Sequence, residues 1–362
     1  MKGTKKVRTI ALTVGTLCSG YDSQCMALDR IKNSLKWSFP NFEYDLLFWA
    51  EIDRYAIKAH NAVYHQYKER NIGDITQVDW HKVPKVEMLF YTTPCTDISN
   101  AGMRKGMAKD SNTRSSLIWE VERAAEILRP KIMVMENVKD ITNKRNIEHF
   151  NRFKQILSGL GYTNHVVLMN AKDYMVPQNR ERVFMVSIHQ SVNIDFQPPK
   201  PYYYHRLLFD VLENNVDKKY LLTQKQQKRL EKIVDSIRLD FSLQNKVKQI
   251  ANIVNTGNFS NPQRGRIYDS WGIAPTLNTL SGGGLAVKIY HSGKYDGTKI
   301  SVKNFRTLTP REYFRLMDVP EEYIDKIQAA GISDTQQYKM AGNSIVVACL
   351  YHLLQSIFNP II

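Results

Sequence analysis

Cys95 is the side chain in this chain best placed to do covalent chemistry. It follows Pro94, directly after the apolar run Val86–Tyr91. Such a run reads as a buried strand, and a proline, with fixed φ and no N–H, ends it. A thiol at the carboxyl end of a strand lies where open α/β sheets bind their ligands, and as thiolate it is a nucleophile. A second apolar run, Lys131–Met135, ends at Glu136-Asn137, which brings a carboxyl group to the same sheet edge. Arg180 and Arg182 stand two apart in Gln178-Asn179-Arg180-Glu181-Arg182. In an extended segment they share a face. Each has an ordinary reading too: Cys95 as a small buried hydrophobe, Glu136 as a loop cap, the arginines as a surface ion pair. These residues alone leave both readings open.

The elements that must position them alternate between strand and helix. Thr9–Leu17 predicts a strand, Thr16–Gly20 a turn and Ser23–Lys32 a helix, capped by Asp22 or Ser23. This is the opening of a nucleotide-binding βα unit, whose helix N-terminus suits a carboxylate. The Gly-x-Gly-x-x-Gly form is absent, which speaks against a dinucleotide. A second strand, Tyr44–Ala50, ends at Glu51-Ile52-Asp53, where an acid commonly holds a ribose; Asp53 also suits a helix cap. Helices are expected over Arg54–Tyr67, Leu117–Leu128 and Asn146–Leu160, and strands over His165–Met169 and Arg182–Ile188. The long loop Asn100–Ser115, with its glycines and cations, reads as a lid that closes on something anionic. Near residue 190 the pattern changes. An extended linker (Gln197–Pro201) precedes a charged, mostly helical stretch (Gln224–Lys248), then turns with short strands (Asn255–Val287) and a glycine corner at 282–284. Thr309-Pro310-Arg311-Glu312 is a capping-box start, and Asn343–Ile357 an apolar helix long enough to pack back on the first domain.

The chain has 362 residues and a formal charge of +15, a balance that favours polyanionic partners. Residues 191–300 carry 16 Lys and Arg against 9 Asp and Glu, so this stretch supplies nearly half the excess. The four cysteines are scattered without a zinc pattern, so no metal is expected and a reducing cytoplasm fits. No run of about 18 apolar residues predicts a membrane span, and Thr9–Leu17 reads as a first strand rather than a signal peptide.

Taken in order, Pro94-Cys95, Glu136-Asn137-Val138, Gln178–Arg182, Arg306-x-Leu308-Thr309-x-Arg311-Glu312 and Gly342-Asn343-Ser344 resemble the motifs of the DNA (cytosine-5)-methyltransferases, of the bacterial or phage type. The resemblance covers residues 9–190 and 301–358. It implies an α/β fold: a Rossmann-like class I methyltransferase core with a parallel-type sheet (1–190), a small inserted target-recognition domain (191–300), and a C-terminal segment (301–362) returning to the core. It implies S-adenosyl-L-methionine as methyl donor, leaving S-adenosyl-L-homocysteine, and duplex DNA as substrate. Cys95 would add to carbon 6 of a flipped cytosine, with Glu136 sharing a proton with N3 and Arg180 and Arg182 balancing charge near O2. Cys18, Ser19, Gly20, Tyr21 and Asp22 would hold the cofactor's methionine end, Glu51 its ribose and Asp74 the adenine amino group. Ile52 and Ile75 would sandwich the ring, with Pro94, Asn343 and Ser344 completing the pocket. Ser99, Arg104, Lys105 and Arg114 would meet DNA around the flipped base, and Arg264 and Arg266 would read sequence or contact phosphate. Two departures stand out. The usual Phe-x-Gly-x-Gly is here Leu17-Cys18-Ser19-Gly20-Tyr21, and Thr96-Asp97 follow the cysteine where glutamine is usual.

Such an enzyme works as a monomer. A cognate restriction endonuclease is a possible partner that activity does not require. Two readings compete: an RNA cytosine-5 methyltransferase, whose Cys-Phe-Thr signature is absent from the insert, and a catalytically inactive DNA-binding relative. A Rossmann oxidoreductase lacks its glycine fingerprint.

Overall fold

The computed structural model describes residues 11–35, 42–94, 114–202, 204–239, 245–254, 261–279, 286–291 and 300–358. Its contacts divide into two units: residues 1–169, 181–200 and 349–362, and residues 170–180 and 201–348. Residues 301–348 thus group with the insert, and the segment that groups with the first unit begins at Cys349 rather than 301.

The first unit is built on a six-stranded sheet of β1 (Ala11–Leu17), β2 (Glu43–Ala50), β3 (Met88–Tyr91), β4 (Ile132–Val138), β5 (Tyr162–Asn170) and β6 (Glu181–His189). The spatial order is β2-β1-β3-β4-β6-β5. The first four neighbours run parallel, whereas β6 is antiparallel to β4, so the sheet is mixed. Parallel neighbours need crossovers, and α1 (Ser23–Leu35), α2 (Arg54–Val63) and α3 (Ile118–Leu128) lie in the connections that supply them. A fourth helix, α4 (Ile147–Gly159), buries Phe150, Phe153 and Leu157 along one stripe. Phe153 meets Tyr91 of β3 and Trp119 of α3 edge to face, which ties both helices to the middle of the sheet. The expected helix over 54–67 stops at Val63. Tyr64 leaves helical geometry (φ −119°, ψ 55°), and the chain continues as a tighter turn, His65–Arg70.

The second unit holds a short helix, α5 (Gln224–Glu231), and a sheet of β7 (Gln249–Asn252), β8 (Arg266–Asp269), β9 (Lys288–Tyr290) and β10 (Phe305–Thr307) in the order β10-β9-β8-β7. Leu222, Leu230, Ile253, Ile267, Tyr290 and Phe305 form its core. The helix is much shorter than the expected 224–248. Leu230 is its one buried residue, so little apolar contact holds it beyond two turns. Three further helices follow: α6 (Pro310–Arg315), α7 (Glu321–Ala329) and α8 (Asp334–Asn343). The expected capping box at α6 is present in full. Arg306 grips the fully buried Glu312 with two hydrogen bonds of 2.8 and 2.6 Å. The last helix, α9 (Val347–Phe358), starts four residues later than expected, because Asn343 ends α8 and Ser344 is extended. By length and composition Asp334–Phe358 could cross a membrane, yet 78% of its most apolar stretch is buried.

Candidate active site

The register of the first sheet lines up the ends of three strands with a point inside a fourth. Ala50 lies opposite Leu17, Leu17 opposite Tyr91, and Tyr91 opposite Met135. The residues that follow them are therefore one row: Glu51, Cys18, Thr92 and Glu136. At about 4.8 Å between strands this row is roughly 14 Å long. The chain order reverses about β1, and at such a switch point the loops part and leave a crevice.

At the β1 end the backbone turns sharply. Cys18, Gly20 and Asp22 all have left-handed φ values, of 53°, 61° and 68°. Only Gly20 adopts this without steric cost, and a Cβ placed there would meet nothing within 4 Å, so the loop leaves room for a group beside it. Ser19 is buried; its N–H donates to Ala50 O at 3.0 Å, which clamps the loop to β2. Asp22 is fully buried. One oxygen accepts from Cys25 N–H at 3.2 Å, which caps α1, and the other from Thr16 Oγ1 at 3.1 Å. Tyr21 is buried too, 1% exposed, so it shapes the loop from inside.

Glu51 is fixed by three backbone donors: Gly20 N–H to Oε2 at 2.9 Å, and Ile52 and Asp53 N–H to Oε1, both at 2.8 Å. Asn71 braces it from the far side, accepting from Glu51 N–H and donating to its carbonyl. Asp53 caps α2 as expected. Ile52 is 69% exposed, an unusual setting for a large apolar side chain, whereas Ile75 is buried in the core. Asp74 is exposed and accepts from Thr76 N–H and Oγ1, both on Oδ1. Burial pushes the Cys18 thiol up to about 12, and the charges of Glu51 and Asp74 add to that rise. The two carboxylates thus converge on Cys18, which is held as a neutral thiol.

At the β3 end, Thr92 Oγ1 donates to Cys18 O at 2.9 Å, and Asn137 Nδ2 donates to both Thr93 O and Oγ1 at 3.2 Å. The backbone leading to Pro94 is therefore held from both neighbouring strands. Cys95, Ser99, Arg104 and Lys105 lie outside the described residues, as does the side chain of Arg114.

Glu136 sits inside β4 rather than beyond its end. It faces Phe184 of β6, and Val138 faces Arg182. Glu136 and Arg182 are thus diagonal partners on one face. Arg182 Nε lies 3.0 Å from Glu136 Oε1, and the two side chains are only 17% and 11% exposed. The expectation that Arg180 and Arg182 share a strand face is not met, because β6 begins at Glu181. Arg180 belongs to the second unit, 3% exposed, and donates to the carbonyls of Leu277, Gly342 and Ser344 at 3.4, 3.1 and 2.7 Å. Its guanidinium holds the chain at the end of α8, with Asn343 exposed beside it. In the same unit Arg266 donates to Asn261 O, while Arg264 is exposed and makes no ion pair among the described residues.

Sequence reasoning missed three supporting residues. Asn71 carries no motif. Asn137 and Gln178 lie inside quoted motifs, but their bonds are tertiary: Gln178 is fully buried, donates to Leu316 O and accepts from Leu277 N–H.

A doubly wound sheet whose switch point carries an acid at the second strand end, with a Glu–Arg pair between its fourth and sixth strands, defines a class I methyltransferase type of core. The chain belongs to the C-5 cytosine-specific DNA methylases, whose family model matches residues 13–359. It is 36% identical over 291 residues to the Type II methyltransferase M2.ScrFI of Lactococcus lactis subsp. cremoris, covering 80% of this chain and 71% of the relative. It is 30% identical to the Type II methyltransferase M.HhaI of Haemophilus parahaemolyticus, covering 85% of each. Among solved structures, the Entamoeba histolytica methyltransferase EhMeth matches with a TM-score of 0.69 at 17% identity, over 98% of this chain and 99% of the other. A putative DNA modification methyltransferase encoded within an Escherichia coli prophage matches at 0.63 and 18%, over 97% and 99%. The chain is a DNA (cytosine-5)-methyltransferase by family.

Proposed function

We propose that this chain methylates carbon 5 of a flipped cytosine in a short duplex sequence, through a covalent adduct on Cys95. The observation that carries the reading is the Glu136–Arg182 pair, 3.0 Å apart, with Glu136 on the strand next to the one that precedes Cys95 and Arg182 on the strand beyond it. Carbon 5 of cytosine is a weak nucleophile. Addition of the Cys95 thiolate at carbon 6 makes the ring an enamine and puts negative charge on it. Glu136 shares a proton with N3, and Arg182 holds Glu136 in place while adding positive charge beside it. Arg180 serves by fixing the Gly342–Ser344 turn. Departure of the carbon 5 proton then lets the Cys95 sulfur leave by elimination.

The residues at the β1 and β2 ends fit S-adenosyl-L-methionine. The α1 N-terminus and the open space beside Gly20 suit a carboxylate, the anchored Glu51 a ribose and the exposed Ile52 an adenine. When bound, this group supplies an electrophilic methyl. Cys18–Asp22 hold the methionine end, Glu51 the ribose, Asp74 the adenine amino group, and Ile52 with Ile75 the ring faces. Pro94, Asn343 and Ser344 complete the pocket. Ser99, Arg104, Lys105 and Arg114 contact DNA near the flipped base, and Arg264 and Arg266 serve target recognition within residues 191–300. The enzyme acts as a monomer in the cytoplasm, and a cognate restriction endonuclease, where present, is not needed for turnover.

The test is a base-resolution map of 5-methylcytosine in a host lacking it, after expression of the parent and of Cys95→Ala. Methylation at one short sequence with the parent, and none with the variant while it still binds DNA, supports the mechanism. Turnover by Cys95→Ala refutes the covalent step.

A further inference from the structure

Helix α5 has no part in the site described above, yet its surface is built in an unusual way. Lys225, Lys228, Arg229 and Lys232 are spaced three, one and three residues apart, at i, i+3, i+4 and i+7. At 100° per residue they fall within about 100° of arc on one face. Leu230, the helix's one buried side chain, points nearly opposite, into the apolar cluster of the second unit with Leu222 and Phe305. All four cations are exposed.

Several exposed cations elsewhere on this protein have carboxylate partners, although others, Arg264 among them, have none among the described residues. Lys32 pairs with Glu43, Lys131 with Glu87, Lys139 with Glu181, and Arg315 with Glu321. Among the described residues none of the four α5 cations has one. Like charges three and four residues apart repel along a helix. Thr223 and Gln226 nonetheless close a full capping box that fixes the helix start, and Leu230 anchors it. A pre-formed helix that carries uncompensated like charge on its outer face calls for a polyanion.

We propose that the α5 stripe is a sequence-independent contact for the phosphate backbone of duplex DNA, separate from the base-reading residues. The idea rests on the DNA methyltransferase reading and adds a second point of attachment to it. From Lys225 to Lys232 the stripe runs about 10 Å, which matches the rise of about three phosphates along one strand. Its four charges are flexible or forked donors on long stems, suited to phosphate oxygens rather than to a fixed base edge. Such a contact raises affinity for all duplex DNA alike and lets the protein stay on DNA while it searches.

The experiment compares the parent with K225Q/K228Q/R229Q/K232Q and with a charge-keeping variant, K225R/K228R/K232R. Binding to a 30-base-pair duplex of arbitrary sequence is measured from about 50 to 200 mM salt. Each phosphate contact contributes about 0.9 to the slope of log K against log salt. The neutral variant is expected to lose up to about 3.6 of slope, so across this range the parent's affinity falls up to about 150-fold more than the variant's. The arginine variant keeps the parent slope. Equal slopes for parent and neutral variant overturn the proposal. So does a slope change confined to a single-stranded RNA of the same length. Incorporation of labelled methyl into genomic DNA by the parent is measured separately. Its absence refutes the methyltransferase reading, whereas equal slopes with intact incorporation refute only the role of α5.

Discussion

Replacing Arg182 with Met should show whether the Glu136–Arg182 pair organises the site. Arg182 Nε stands 3.0 Å from Glu136 Oε1, with both side chains mostly buried. The variant keeps the length of the stem but strands a carboxylate in a poorly solvated place. Breaking a fully buried pair costs about 3–5 kcal/mol. Because both groups keep some contact with water, about 2–3 kcal/mol is expected here. For a unit of roughly 200 residues that lowers the melting temperature by about 5–10 °C. Removing Glu136's charge as well should return part of this, so Arg182→Met with Glu136→Gln is expected to be more stable than Arg182→Met alone. Methyl transfer moves differently. Loss of one pre-placed electrostatic donor costs about 100- to 1000-fold in turnover, and the double variant should recover none of it. Thermal unfolding of the parent, Arg182→Met, Glu136→Gln and the double variant gives the coupling energy, and incorporation of labelled methyl gives the rates. A coupling below about 0.5 kcal/mol, or Arg182→Met turnover within about threefold of the parent, would refute the reasoning.

Other outcomes follow from the same geometry. Cys18, with its thiol raised to about 12, should resist alkylation from pH 7 to 9, because the thiolate is scarce until the pH nears that value. Mass spectrometry after iodoacetamide treatment checks this, and labelling of Cys18 at the rate of an ordinary exposed thiol would show that neither burial nor the charges of Glu51 and Asp74 hold it protonated. Arg306→Met should cost about 3–5 kcal/mol by leaving the fully buried Glu312 without its fork, measured by denaturant unfolding; a cost under about 1 kcal/mol would mean the pair is not worth its burial. Lys288 is buried and its amine is lowered to about 8 by desolvation, while it donates to Arg264 O at 2.8 Å. Between pH 8 and 10 the unfolded chain binds that proton more tightly than the folded one, so this group's contribution to stability rises with pH. Lys288→Met should flatten that rise, and an unchanged pH dependence would contradict it.

The order of strands and helices in the first unit, the cap of α2 by Asp53, the capping box of α6 and the ordered motifs that identify the family were all legible in the sequence alone. These are local properties: a proline after an apolar run, an acid after a strand, a threonine three residues before a glutamate. The sequence misjudged the ends of α2 and α9, where the backbone leaves helical geometry at Tyr64 and Ser344, and the length of α5, because a helix's length depends on what its apolar face packs against. Tertiary structure alone decided that Glu136 lies within β4 and faces Arg182 diagonally, that Arg180 turns to three carbonyls instead, and that Asn71 and Asn137 lock two strand ends. Each of these depends on strand register or on a hydrogen bond between residues far apart in the chain. Only folding brings such groups within reach, and burial then obliges each polar group to find a partner.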